Sequence, residues 1–128
     1  MSDDQSGVAR FPGQAPIDAY GNGGFRFADM SHRGSLLCLP SGIYAWDVID
    51  PSDITLGALA GVLRELRPPG FLLLGTGAKQ VFPDLAVRRA FLEAKIGLEP
   101  MDTGAACRTF NVLLAEGRPV AAALIAVD

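Results

Sequence analysis

Residues that could do chemistry are few in this sequence, and the densest group is Gly75-Thr76-Gly77-Ala78-Lys79-Gln80, which follows the apolar run Phe71-Leu72-Leu73-Leu74. Glycines placed after a strand can leave main-chain amides free to hold an anion. The match to known phosphate cradles is partial. A dinucleotide loop needs a third glycine where Gln80 stands. A phosphate-binding loop needs Gly-Lys-Ser/Thr to open the helix, whereas Val81-Phe82-Pro83 delay it here. Two readings stay open: Gly75 and Gly77 simply turn the chain, or the loop binds a small ligand or a partner. Thr103 bears on the second. It is expected to cap a helix, gathering free amides and the positive end of the helix dipole at one spot. If the two preceding strands are neighbours, Gly75, Thr76, Gly77, Lys79 and Thr103 form one shallow cleft that receives a carboxylate.

His32 is the only histidine. It could serve as a base for Ser35 or be oriented by Asp29, yet in Ser31-His32-Arg33-Gly34 it reads as a solvated turn residue, and no nucleophile–base geometry is fixed by the spacing. One histidine with no Cys or carboxylate cluster makes no metal site, and no cofactor motif is complete. Cys38 and Cys107, far apart and outside any Cys-x-x-Cys, read as small buried hydrophobes. Trp46, near a strand end, is either a core plug or an exposed partner anchor. Asn111 falls mid-helix beside the apolar face, where its amide is expected to tie the helix to a neighbouring segment.

The elements that must position these groups follow from pattern. Residues 1–15 are polar and hold Gly7, Pro12 and Gly13, so they are expected to be a flexible tail ahead of a single domain over 16–128. Ile17 to Tyr20, Phe25 to Ala28, Leu36 to Leu39 and Ile43 to Val48 read as hairpin strands, broken by Gly21-Asn22-Gly23-Gly24, Ser31-His32-Arg33-Gly34 and Pro40-Ser41-Gly42. A helix is expected from Thr55, with Leu56, Leu59, Leu63 and Leu66 on one face, until Pro68-Pro69-Gly70. Phe71 to Leu74 lacks polar alternation and is assigned to the sheet centre. A second helix begins near Pro83-Asp84, uses Val87, Ala90, Phe91 and Ala94, and stops at Gly97. Leu98 to Met101 is a strand, a third helix carries Ala106, Phe110, Leu113 and Leu114, and Val120 to Val127 is the last strand. Strands alternating with helices after initial hairpins predict an α/β domain with a mixed central sheet and about three helices.

Composition narrows the function class. The chain of 128 residues is 49% apolar and 20% charged, ordinary for one globular domain. Its net charge of −3, with 11 scattered Lys and Arg, offers no footprint for nucleic acid. No run approaches the roughly 20 apolar residues that span a bilayer. The acidic first residues fit neither a secretory signal nor a mitochondrial presequence, so a cytoplasmic protein is expected.

Tyr20-Gly21-x-Gly23-Gly24-Phe25-Arg26, Gly34-Ser35-Leu36-Leu37, Trp46, Leu74-Gly75-Thr76-Gly77 and the block from Met101 to Arg118 carry a resemblance. From about Ile17 to the C-terminus the chain resembles the MTH-type domain of unknown function, a family that includes a mitochondrial complex I assembly factor and an adipogenesis-associated member. The resemblance implies a three-layer α/β fold whose last strand runs antiparallel. It also implies a non-catalytic protein-binding role, with a respiratory-complex subunit or another assembly factor as partner. It brings no catalytic residues. The alternative from the residues themselves is a small-molecule or anion binder, or an enzyme, built on Gly75-Thr76-Gly77.

Overall fold

Two hairpins open the described part of the chain, residues 9–128 of a computed structural model. Strand β1 (Ala19–Gly21) turns into β2 (Gly24–Phe27), and β2 turns into β3 (Met30–Arg33). Both turns have two central residues at positive φ: Asn22 at 52° and Gly23 at 79°, then Ala28 at 48° and Asp29 at 62°. Two-residue turns of this hand match the twist of the strands they join. Ser31-His32-Arg33, expected in a turn, therefore lies in a strand, and Gly34 at φ 94° alone redirects the chain. The expectation failed because Ala28-Asp29, which is no glycine pair, takes the reversal.

The main sheet continues with β4 (Ser35–Leu39), β5 (Gly42–Trp46), β6 (Phe71–Gly75), β7 (Gly97–Met101) and β8 (Val120–Leu124), in the order β5-β4-β8-β6-β7. The strand at the centre is β8, not β6 as expected; β6 lies between β8 and β7. Strand β8 runs parallel to β6 and antiparallel to β4, so the last strand is antiparallel to only one neighbour. Wholly apolar runs occur in both β6 and β8 because both are covered on two faces, and that pattern cannot rank them.

Three layers follow from alternation. Leu37 and Leu39 of β4, Leu72 and Leu74 of β6, and Ala121 and Ala123 of β8 face one core with Trp46, Leu59, Val62, Val87 and Phe91. Leu36, Cys38, Leu73, Ala122 and Leu124 face the other, against Phe25 and Phe27 of the small sheet and Ala106, Cys107 and Phe110. Each fully buried Leu or Phe contributes roughly 1.5–3 kcal/mol. Helix α2 (Leu85–Ala94) covers the first face and α3 (Thr103–Ala115) the second.

Helix α1 is short, Ala60–Leu63, rather than opening at Thr55. Thr55 Oγ1 only accepts from Ala58 N in a turn, and Leu56 and Leu66 are exposed. Gly57 and Gly61 lower helix propensity by about 1 kcal/mol each relative to alanine, which confines the helix to its best-packed turn. Helix α2 is capped by Asp84 and ends on Lys95 in the left-handed region, so Gly97 is free to begin β7. Its buried residues are Val87 and Phe91; Ala94 is exposed.

The expected tail lies partly outside the described residues. From residue 9 onward it joins the domain: Phe11 bridges Ile43, Gln14 Nε2 donates to the Val120 carbonyl at 2.8 Å, and Ala15 is buried. Asn111 meets expectation. Its Oδ1 accepts from Ile17 N and its Nδ2 donates to Ile17 O, both at 2.8 Å, which locks α3 to the segment entering β1.

Candidate functional site

The parallel crossover β6–α2–β7 makes the two preceding strands neighbours and brings the loop after β6 and the start of α3 to one end of the sheet. Four of the five cleft residues are thereby used internally. Thr103 is fully buried, and its Oγ1 donates to the Ile125 carbonyl at 2.7 Å while accepting Gly77 N at 3.0 Å. Thr103 N donates to Gly77 O at 2.8 Å. Thr103 is therefore no cap. That role falls to Asp102, whose Oδ1 accepts from Ala105 N at 2.9 Å, so a carboxylate of the chain already occupies the helix end.

Thr76 works in the same way. Its N donates to Met101 O, and its Oγ1 donates to Lys79 O at 2.5 Å and accepts Val81 N at 2.9 Å, folding the loop onto itself. Gly75 is needed for close approach, since a Cβ there would stand 3.1 Å from Thr103 Cα. Gly77 is needed for its φ of 102°. The amides of Thr76 and Gly77, expected to be free, are spent. Those of Ala78 and Lys79 take no acceptor among the described residues, and the Lys79 side chain is exposed.

Beside this loop lies an open depression of about 510 Å³, lined by Ile49, Pro51, Gly77, Lys79, Val81 and Ile125 among others. Its surroundings are apolar and uncovered: Ile49 is 82% exposed and Phe82, which follows Val81, 66%. These residues were not singled out from sequence. The signal was available in Val81-Phe82-Pro83, an apolar stretch in a segment that is neither strand nor helix. Trp46 is a core plug, not an anchor: it is 7% exposed and its Nε1 donates to the Ala58 carbonyl at 2.9 Å.

The structure does bring His32 to Ser35, without making a catalytic pair. His32 Nε2 donates to the Ser35 main-chain carbonyl at 3.1 Å, while the Ser35 hydroxyl donates to Val48 O at 2.7 Å and accepts Ala126 N at 2.9 Å. Burial holds the His32 pKa below its ordinary value. Both cysteines are buried and unbridged. Burial pushes the Cys107 thiol up to about 12 and the Cys38 thiol higher still. Neutral thiols are poor nucleophiles. We expect native protein to resist iodoacetamide at about pH 8 and both thiols to react on unfolding, with mass measurement as the check. The Cys107 contribution to stability is complete below the unfolded value of about 8.5 and is lost as pH rises toward 12, because the folded state holds its proton longer.

Among the described residues no helix is long and apolar enough to cross a membrane. A family model described as protein of unknown function (DUF498/DUF598) matches residues 17–125. The mouse NADH dehydrogenase [ubiquinone] 1 alpha subcomplex assembly factor 3 is 34% identical over 118 residues, covering 91% of this chain and 63% of that protein. A crystal structure described as an outer membrane protein from Bartonella henselae is 55% identical, with a TM-score of 0.89 over 93% of this chain and 100% of its own. The solution structure of a Bordetella pertussis protein, described as an Mth938-like domain, is 32% identical with a TM-score of 0.74, covering 88% of this chain and 85% of its own.

Proposed function

Since the chain belongs to the DUF498/DUF598 family of proteins of unknown function, we propose that it is a non-catalytic, protein-binding accessory domain that assists assembly of a respiratory NADH dehydrogenase. The observation that carries this reading is the uncovered apolar surface of Ile49 and Val81 at the depression beside Lys79, with the exposed Phe82 next to Val81 in the chain. Surfaces of this kind mark contacts with other proteins. The similarity to assembly factor 3 supports the choice of partner, although the chain spans only 63% of that factor's length. The domain works in the cytoplasm, where cell fractionation would find it.

In cells that make both this protein and an NADH dehydrogenase, affinity capture should enrich dehydrogenase subunits, and deletion of the gene should lower the assembled complex. The double variant Ile49→Glu, Phe82→Glu should stay folded, because both side chains are exposed, and lose the capture about tenfold or more. Unchanged complex abundance on deletion would overturn the proposal. A rival reading rests on the Ala78 and Lys79 amides with the Lys79 ammonium, which would face a small anion. Titration with acetate or inorganic phosphate, followed by amide shifts at these residues, decides it.

A further inference from the structure

The edges of the two sheets are not treated alike. On β7, Pro100 has no N–H and its carbonyl accepts from Gln80 Nε2 at 2.9 Å. On β5, Ile43 N donates to Phe11 O at 3.0 Å and Ile43 O accepts from Arg10 N at 2.6 Å. Both edges of the main sheet are blunted against strand addition.

Strand β3 is different. The two-residue turn at Ala28-Asp29 makes Phe27 and Met30 a hydrogen-bonded pair, and with the register Phe25↔His32, Arg26↔Ser31 and Gly24↔Arg33 the bonded pairs alternate. His32 thus bonds inward to β2, and the N–H and C=O of Ser31 and Arg33 point outward. They take no partner among the described residues. The side chains of Arg26, Ser31 and Arg33 share the exposed face of this sheet, opposite buried Phe25 and Phe27. Neither Arg26 nor Arg33 makes an ion pair or hydrogen bond through its side chain among the described residues. An open depression of about 450 Å³ lies between these arginines and Tyr20 and Asn22.

We propose that the β3 edge receives an extended, acidic segment of a partner protein, added as a fourth strand to the small sheet. Residues set opposite Ser31 and Arg33 would place their side chains on the arginine face, so the recognised pattern is two carboxylates with one residue between them. Charge selects this occupant over a second copy of the chain, because β3 pairing with β3 would set like charges side by side. The inference rests on the protein-binding reading above but uses a different surface.

The test uses the full chain and a labelled peptide alternating aspartate and valine, with lysine-for-aspartate and alternately N-methylated peptides as controls. The parent peptide should bind, slow the hydrogen exchange of the Ser31 and Arg33 amides, and bind about tenfold or more weakly to the double variant Arg26→Glu, Arg33→Glu. Both arginines are exposed, so the variant should fold. The Ile49→Glu, Phe82→Glu protein should bind the peptide normally. No binding, binding unaffected by charge reversal, binding of the N-methylated peptide as tight as the parent, or a β3-mediated dimer in sedimentation would each overturn the proposal. Should the peptide fail while dehydrogenase subunits are still captured, only this inference falls. Should capture fail while the peptide binds, only the assembly reading falls.

Discussion

Replacing Thr103 by valine should lower the unfolding free energy by about 2–6 kcal/mol, because two buried main-chain groups lose their partner at once and each costs about 1–3 kcal/mol. Valine keeps the shape and removes the hydroxyl. Gly77 N–H then has no acceptor and Ile125 C=O no donor, in a region where Thr103 is fully buried. Thr103→Ser keeps the hydroxyl and should cost far less. Asp102→Ala removes the actual cap and should cost about 1 kcal/mol. Urea denaturation of the three variants checks the order. If Asp102→Ala proves worse than Thr103→Val, the three-way tie between the loop, α3 and the residue that follows β8 is weaker than its distances imply.

Leu73→Ala should cost about 2–5 kcal/mol, since truncating a buried leucine removes transfer energy and leaves a cavity. Leu73 is 2% exposed and faces the core beneath α3, between β8 and β7. Leu92→Ala on the outer side of α2, where the side chain is 78% exposed, should stay within about 0.5 kcal/mol. The denaturant slope should hold while the midpoint falls. An unchanged midpoint for Leu73→Ala would mean that the α3 layer closes over the gap or does not bear on β6.

These two positions show what the sequence could and could not reveal. Leu73 was legible because four apolar residues between Gly70 and Gly75 are too few for a helix and match a short strand covered on both faces. Helix α3 was legible from its spacing, and Asn111 from the cost of leaving an amide unpaired. Thr103 was misjudged by one residue. Asp102 and Thr103 are both good capping types, and only the tertiary position of Ile125 and Gly77 decides which hydroxyl or carboxylate turns inward. Strand order was hidden for a similar reason: β6 and β8 are equally apolar, and the partner of each is chosen by long-range contacts. The Ala28-Asp29 turn is a case where packing overrode local preference, whereas the short α1 follows from the local cost of Gly57 and Gly61, which the apolar spacing concealed. As for the candidate cleft, proximity of the two segments was readable from the crossover, whereas the fate of each amide depended on hydrogen bonds across about 25 residues and more, between Thr76 and Met101 and between Gly77 and Thr103.

The central place of β8 has a consequence for how the chain acquires its shape. Strands β4 and β6 touch only through β8, and β8 leaves the ribosome after every other strand of that sheet. Until it arrives, the β4–β5 hairpin and the β6–β7 pair are two half-sheets, each with an unpaired apolar strand at its border. Such high-contact-order assembly is slow and exposes sticky edges during synthesis. A nascent chain stalled before Val120 should therefore be a strong client for a chaperone, and release of the last strand should end that dependence in a single cooperative step.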